Sequence, residues 1–324
     1  MTERYYFLYI NREVSSFSIG ICNEMIIFCF GIVESMNVHP DCVPCLMKRV
    51  VFQSKLPGNG RERQAVEAAL RTYADILSFE MNSARSATLV HRSAYDAMEV
   101  SDPYLELKVR ADEVAGEYLG DLVKAVRGSP DSFATAVKVS IIGNIMDFGS
   151  GIAIDDPDEF RKIFPELLGQ DITYDDTKVL GAVLEKASSV VYLFDNCGES
   201  QFDKLLIREI RAMGKRVVGV VRGEPILNDV SLDDAFRIGL DKEVDRLLTT
   251  GGFAIGVDME MIGPELKKEM EEAGLVIAKG MANYESLSDE ELGVPVAYIM
   301  KAKCRPVADS LGVALGSNVV RLMR

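Results

Sequence analysis

The sequence predicts an α/β protein: a three-layer α/β/α domain with a largely parallel sheet, preceded by an all-helical N-terminal subdomain. Two observations carry that expectation. Residues 42–150 place their apolar side chains only at helical spacing, with no convincing strand among them. From there on, short β-branched runs alternate with amphipathic helices, the rhythm of a sheet covered on both faces.

The opening stretch, residues 1–35, belongs to neither pattern. Its apolar block, residues 19–33, is shorter than the ~20 residues that cross a bilayer, and it contains Asn23 and Glu24. Glu3, Arg4, Arg12 and Glu13 balance one another, so no positive leader precedes the block. A coherent sequence begins at Met36, and residues 1–35 read as a mis-started, non-native extension. The other reading is an extra strand or partner-binding segment.

Three helices stand out in the part spanning residues 36–150. Residues 61–82 carry Val66, Ala69, Leu70, Tyr73, Ile76 and Leu77 on one face. Asp102-Pro103 opens a second helix that Gly128 ends, and Ser129-Pro130-Asp131 opens a third that reaches Gly143. In the part spanning residues 151–324, runs at 190–194, 217–221, 253–257, 275–278 and 296–300 read as strands buried on both faces. Residues 202–213 form the helix between the first two, stopped by Gly214. The acidic stretch 155–176 is a candidate mobile segment.

Composition excludes several classes of function. Lys and Arg number 36 against 50 Asp and Glu, a net charge of −14, which disfavours nucleic acid as a partner. Six cysteines are too sparse for a disulfide scaffold and point to a reducing, cytoplasmic setting. With only two histidines, His39 and His91, a three-His zinc site cannot form, and a Ser-His-Asp triad is not expected. No G-x-G-x-x-G follows a strand, and there is no P-loop, no G-x-S-x-G elbow and no strand-ending Asp-x-Asp.

Ligands of open α/β sheets bind beyond the carboxyl ends of the strands. There the sequence offers Asp195-Asn196, then Arg222-Gly223 with Asn228-Asp229, then Lys279, and last Lys301, Lys303 and Cys304. Asp195, Asn196 and Asp229 make an oxygen donor set suited to a hard divalent cation whose shell is completed by phosphate. Lys279 would balance phosphate charge, and backbone N–H groups near Gly198 and Gly223 could cradle its oxygens. A strand-ending turn that caps the next helix also accounts for Asp195-Asn196, and a solvated surface cation accounts for Arg222 or Lys279.

Four motifs in order, Gly143-Asn144-x-x-Asp147, Asp195-Asn196-x-Gly198-Glu199, Arg222-Gly223-x-Pro225 with Asn228-Asp229, and Lys279-Gly280-x-x-Asn283-Tyr284-Glu285, resemble those of the metal-dependent damage-control phosphatases, long catalogued as domain of unknown function eighty-nine. The resemblance covers residues 36–324. It implies a helical part packed on a three-layer α/β domain and hydrolysis of small phosphate esters with Mn²⁺, Co²⁺, Ni²⁺ or Mg²⁺. It also implies metal ligation by Asp195, Asn196 and Asp229, and phosphate contacts from Asn144 and Lys279 with Asp147 beside them. Glu199, Arg222, Gly223 and Asn283 join the substrate set through the same motifs. Two departures are Arg222, where Lys is frequent, and Met281-Ala282 in place of Gln-Gly.

Cys42-Val43-Pro44-Cys45 and Cys304 resemble the prokaryotic branch of that family. The Cys-x-x-Cys spacing admits a metal site completed by Cys304 and by His39 or Asp41, a redox pair, or three structural thiols. The expected activity is therefore metal-dependent hydrolysis of a small phosphorylated metabolite, such as a sugar phosphate or damaged phosphometabolite. The alternatives are an S-adenosylmethionine-dependent carboxyl methyltransferase and a non-catalytic metal- or metabolite-binding protein. No membrane partner is expected, and the sequence gives no oligomeric state.

Overall fold

The computed structural model describes residues 36–148 and 154–323, so the extension read into residues 1–35 lies outside the described residues. The helical part consists of α1 (Cys42–Lys55), α2 (Glu62–Ile76), α3 (Ser83–Met98), α4 (Leu105–Gly128) and α5 (Ser132–Ile142), followed by a 3-10 turn over Gly143–Ile145. Local chemistry sets the starts: the Asn82 side chain accepts from the N–H groups of Ala84 and Arg85 to open α3, and Asp131 accepts from Ala134 to open α5. α2 is shorter than its sequence pattern, and its stripe is rotated. Ala65, Ala69 and Tyr73 are buried while Leu70 and Leu77 stay exposed, because the two alanines let the neighbouring helices approach closely.

The second part runs α6 (Phe160–Gly169), β1 (Ile172–Asp175), α7 (Thr177–Lys186), β2 (Ser189–Leu193), α8 (Glu199–Ala212), β3 (Arg216–Val221), α9 (Leu232–Ile238), β4 (Arg246–Thr249), α10 (Pro264–Glu272), β5 (Leu275–Lys279), α11 (Gly280–Leu287), β6 (Val296–Lys301), α12 (Arg305–Leu311) and β7 (Asn318–Met323). These strands form one seven-stranded sheet in the order β1-β7-β6-β5-β2-β3-β4, with β6 and β7 antiparallel and the other pairs parallel. Along β2 and just beyond it, side chains alternate between faces. Val190, Tyr192 and Phe194 enter a core shared with Val50, Val114, Val137 and Leu206 of the helices, while Val191 and Leu193 enter an opposite core with Leu266, Tyr284 and Val307. The helical part and one face of the sheet therefore share a single core. Among the described residues, no helix is long and apolar enough to cross a membrane.

Two sequence expectations change here. The run at 253–257 is not a strand. It is buried and apolar because it crosses the top of the sheet as a loop, and Gly256 takes a φ of +69° that a strand excludes. The strand actually beside β3 is β4, whose half-buried residues gave no apolar run. Acidic stretch 155–176 folds into a 3-10 turn, α6 and β1.

The sheet has a topological switch between β2 and β5. From β2 the chain moves outward through β3 to β4, then returns to lay β5 on the other side of β2. A crevice at the carboxyl ends of those two strands is the expected ligand position.

Candidate active site

Asp195 lies just beyond β2, between the loop that leaves β3 on one side and the turn that leaves β5 on the other. The loop after β3 folds back onto it: Val230 N–H donates to Asp195 O (2.8 Å), Cys197 N–H donates to Asn228 O (2.9 Å), and Asn196 and Asp229 form an isolated β-bridge. This local pairing brings Asp195, Asn196 and Asp229 together. Behind them the buried Arg222 guanidinium donates from Nε to Asp229 Oδ2 (2.6 Å) and from Nη2 to Asp195 Oδ1 (3.4 Å). Its Nη1 donates to Gly256 O and to Asn283 Oδ1, which fixes the fork. On the β5 side, Gly280 has a φ of +73°, and a Cβ there would lie 1.8 Å from Asp195 Oδ2. Only glycine lets the carboxylate rest on that turn.

A second buried cluster supports the first. Lys279 Nζ, fully buried, donates to Ser140 O (2.8 Å) and Glu199 Oε1 (2.6 Å) and pairs with Asp203 Oδ1 at 2.9 Å. Asn144 Nδ2 donates to Glu199 Oε2 (2.8 Å) and Asp195 Oδ2 (3.2 Å), and its Oδ1 accepts from Lys301 N–H. Asn196 Nδ2 bonds the same two carboxylates. Burial pushes Asp203 up to about 7 despite the ammonium beside it, whereas Lys279 is pushed up to about 12 because Asp203 and Glu199 outweigh its burial.

Facing these residues is a cavity of about 330 Å³. Asp195, Asn196 and Asp229 line it, together with residues of α1, α2 and α3. Three cationic residues line the cavity, Arg49 from α1, Lys303 from the turn after β6 and Arg305 at the start of α12, and Asp147 clasps the first two. Arg49 Nη2 donates to Asp147 Oδ1 (2.7 Å), and Lys303 Nζ lies 2.7 Å from Asp147 Oδ2 and donates to Asn144 O. Burial would raise the Asp147 carboxyl, but Arg49 and Lys303 overcome it and hold it down at about 2. Glu285 also lines the cavity. Burial lifts it to about 7, assisted by Asp147 and opposed by Arg49 and Lys303.

The structure thus sorts the sequence-derived site. Asp195, Asn196, Asp229 and Asp147 line the cavity, as do Cys42, Cys45 and Cys304. Lys279, Arg222, Asn144, Glu199, Asn283 and Gly223 do not: they are packed behind the wall, with their polar groups occupied by one another and by backbone. Where the sequence reading expects phosphate contacts from Lys279, Arg222 and Asn144, the structure pairs their polar groups with Glu199, Asp203, Asp195, Asp229 and backbone carbonyls. Lys303 and Glu285 stand in segments that the sequence singles out but without a role of their own, and Arg49 lies outside those segments. Arg49 lies one helical turn after Cys45, on the same face, which was the available signal.

The network holds six carboxylates (Asp147, Asp195, Glu199, Asp203, Asp229 and Glu285) against four cations (Arg49, Arg222, Lys279 and Lys303), a formal surplus of two negative charges. Burial and the neighbouring Asp229 push Asp195 well above the usual carboxylate range. Burial also raises Asp229, though Arg222 pulls it the other way. Two such carboxylates and an amide on a cavity wall are hard oxygen donors short of positive charge, and they fit a divalent cation. Among the described residues no three His, Cys, Asp or Glu side chains gather at ligand spacing, so such a cation would draw the rest of its shell from water or phosphate. The thiols share one wall without forming a ready ligand cluster, and burial raises all three, most strongly Cys304, so they stand as thiols at neutral pH. His39 and Asp41 are exposed and bonded to each other, the Asp41 N–H donating to His39 Nδ1.

With that geometry in place, comparison with known proteins is informative. Residues 38–319 match the family profile described as "Damage-control phosphatase ARMT1-like domain". A damage-control phosphatase of Archaeoglobus fulgidus is 40% identical over 89% of this chain and 100% of its own length. A damage-control phosphatase of Pyrococcus horikoshii is 30% identical over 88% of this chain and 97% of its own. The crystal structure of a DUF89 family protein from Pyrococcus horikoshii superposes with a TM-score of 0.77 at 28% identity, covering 88% of this chain and 98% of that one.

Proposed function

The chain belongs to the ARMT1-like damage-control phosphatase family, and from that premise we propose that it is a metal-dependent hydrolase of phosphate monoesters of small metabolites. The observation that carries the reading is the meeting of Asp195, Asn196 and Asp229 with Arg49 and Lys303 on one cavity at the switch point of the sheet. A divalent cation held by Asp195, Asn196 and Asp229 would polarise a phosphoryl oxygen and make water a better nucleophile.

The chain's own groups do the rest. Arg49 and Lys303, held forward by an Asp147 that stays ionised, bind the phosphate oxygens and counter the charge that grows on them during transfer. Asp195 or Asp229 orients the attacking water. Glu285, with a pKa of about 7, is partly protonated at neutral pH and gives its proton to the departing alkoxide. Glu199, Asn144, Lys279 and Arg222 keep Asp195 and Asp229 from swinging out of line.

The test is phosphate release from a panel of small phosphate esters by chelator-stripped protein, with Mn²⁺, Co²⁺, Ni²⁺ and Mg²⁺ added back singly. Turnover restored by metal and reduced at least about a thousandfold in Asp195→Ala, with an unchanged circular dichroism spectrum, supports the reading. Metal-independent turnover, or full activity in the variant, removes it.

A further inference from the structure

Of the residues lining the cavity, Asp41, Arg305 and Leu315 are exposed, so they stand at its mouth. Asp41 has a neighbour already, since its carboxylate lies 3.7 Å from His39 Nδ1. The Arg305 guanidinium has none: it makes no ion pair or hydrogen bond among the described residues. Cys304, between Lys303 and Arg305, is extended at φ −128° and ψ 158°, so the two cationic side chains leave the same side of the chain. Lys303, 4% exposed, reaches inward to Asp147, whereas Arg305 stays in water at the opening. We propose that Arg305 selects phosphate monoesters whose body carries a second anionic group, a carboxylate or another phosphate. It binds that group while the ester phosphate lies against Arg49 and Lys303. This rests on the phosphatase reading and adds the feature of the substrate that the mouth of the site recognises.

The placement of the three cations supports it. Arg49 and Lys303 are both held by one carboxylate, Asp147, which sets them side by side as a pair suited to a single phosphate. Arg305 stands apart from that pair, with every guanidinium donor free. A planar fork of this kind matches the two oxygens of a carboxylate or a phosphate. Pro306 and Leu315, which line the cavity with it, have no side-chain donor or acceptor, so a neutral body finds little to bind there. The chain's net charge of −14 opposes a multiply charged anion at a distance, and an unpaired cation at the mouth supplies the local attraction. Because this guanidinium is exposed, water and salt compete for it, and the preference it gives is modest.

The experiment is calorimetric titration of the full chain and of Arg305→Ala, with Mn²⁺ present, using three matched esters. Glycerol 3-phosphate carries no second acid, 3-phosphoglycerate carries a carboxylate, and glycerol 1,3-bisphosphate carries a second phosphate. The wild type is expected to bind at least one of the two-acid esters more tightly than glycerol 3-phosphate, and the tighter one identifies the group. Arg305→Ala is expected to weaken that ester about threefold to tenfold while leaving glycerol 3-phosphate unchanged, which also shows that the variant is folded. Arg305→Lys, which keeps the charge without the fork, is expected to retain part of the preference. No wild-type preference, a preference that survives in Arg305→Ala, or equal weakening of all three esters overturns the assignment. Phosphate release from the same esters by the wild type is followed in parallel. Its absence with the binding pattern intact would remove the hydrolase reading and keep the role of Arg305, whereas turnover with unaffected binding in Arg305→Ala would do the reverse.

Discussion

The charged and amide residues gathered at and behind the cavity form two layers that look alike in sequence and differ in what they face. The front layer, Asp195, Asn196, Asp229, Asp147, Arg49 and Lys303, borders the cavity. The back layer, Asn144, Glu199, Asp203, Arg222, Lys279 and Asn283, is buried and pairs with itself, with the front carboxylates and with backbone. Both are dense in charge, and both contain residues from the same short motifs. The front has groups available to a ligand, whereas the back has spent its groups on holding the front in place. A substitution in front should therefore change chemistry with little change in stability, and one behind should change stability first.

The largest expected effect tests the back layer. Lys279→Met removes the ammonium between Glu199 and Asp203 and leaves two buried carboxylates uncompensated. The expected loss is about 3–5 kcal/mol in denaturant unfolding, with activity falling as folded protein falls. A variant with wild-type stability but no turnover would place Lys279 in the chemistry and break the distinction. Gly280→Ala acts on the seam between layers. The left-handed φ costs about 1–2 kcal/mol, and the new methyl displaces Asp195, so turnover should fall by more than the stability loss accounts for. Equal metal-restored turnover in this variant would show that the position of Asp195 is not critical.

A third effect, at Glu285 on the cavity, is identified by its sign. Glu285 has a folded-state value near 7 against about 4.5 in an unfolded chain. The folded state holds this proton more tightly, so the contribution to stability is complete below about pH 4.5 and is lost as pH rises through 7. Glu285→Gln removes the loss and should raise the melting temperature at pH 8 but not at pH 4.5, a gain on the order of 2 kcal/mol, while turnover falls. Equal melting differences at both pH values would contradict the burial of that carboxyl.

Much of this architecture is legible in the sequence, though unevenly. β2, β3, β5 and β6 announce themselves because a strand covered on both faces must be apolar throughout. β1, β4 and β7 do not, since β1 and β4 at the sheet's edges and the far half of β7 are only partly buried and their sequences are mixed. Residues 253–257 mislead for the opposite reason: a loop buried over a cavity needs apolar side chains as much as a strand does. At the site, Asp195, Asn196 and Asp229 could be named because strand ends converge by topology. Whether a cation there faces a ligand or a carboxylate depends on a layer's depth of a few ångströms, which spacing does not encode. Arg49 reaches the site from another part of the chain altogether.

That distance has a consequence for how the protein is made. Arg49 and Asp147 are 98 residues apart, and the Lys303 ammonium that shares Asp147 also bonds Asn144, 159 residues earlier. During synthesis the helical part and most of the sheet emerge before Lys303 does. A nascent chain therefore carries the acidic wall without its complete set of cations and cannot yet grip a phosphate. Closure of this long-range clasp, slow by the entropy of joining distant segments, ties the onset of ligand binding to the emergence of Lys303.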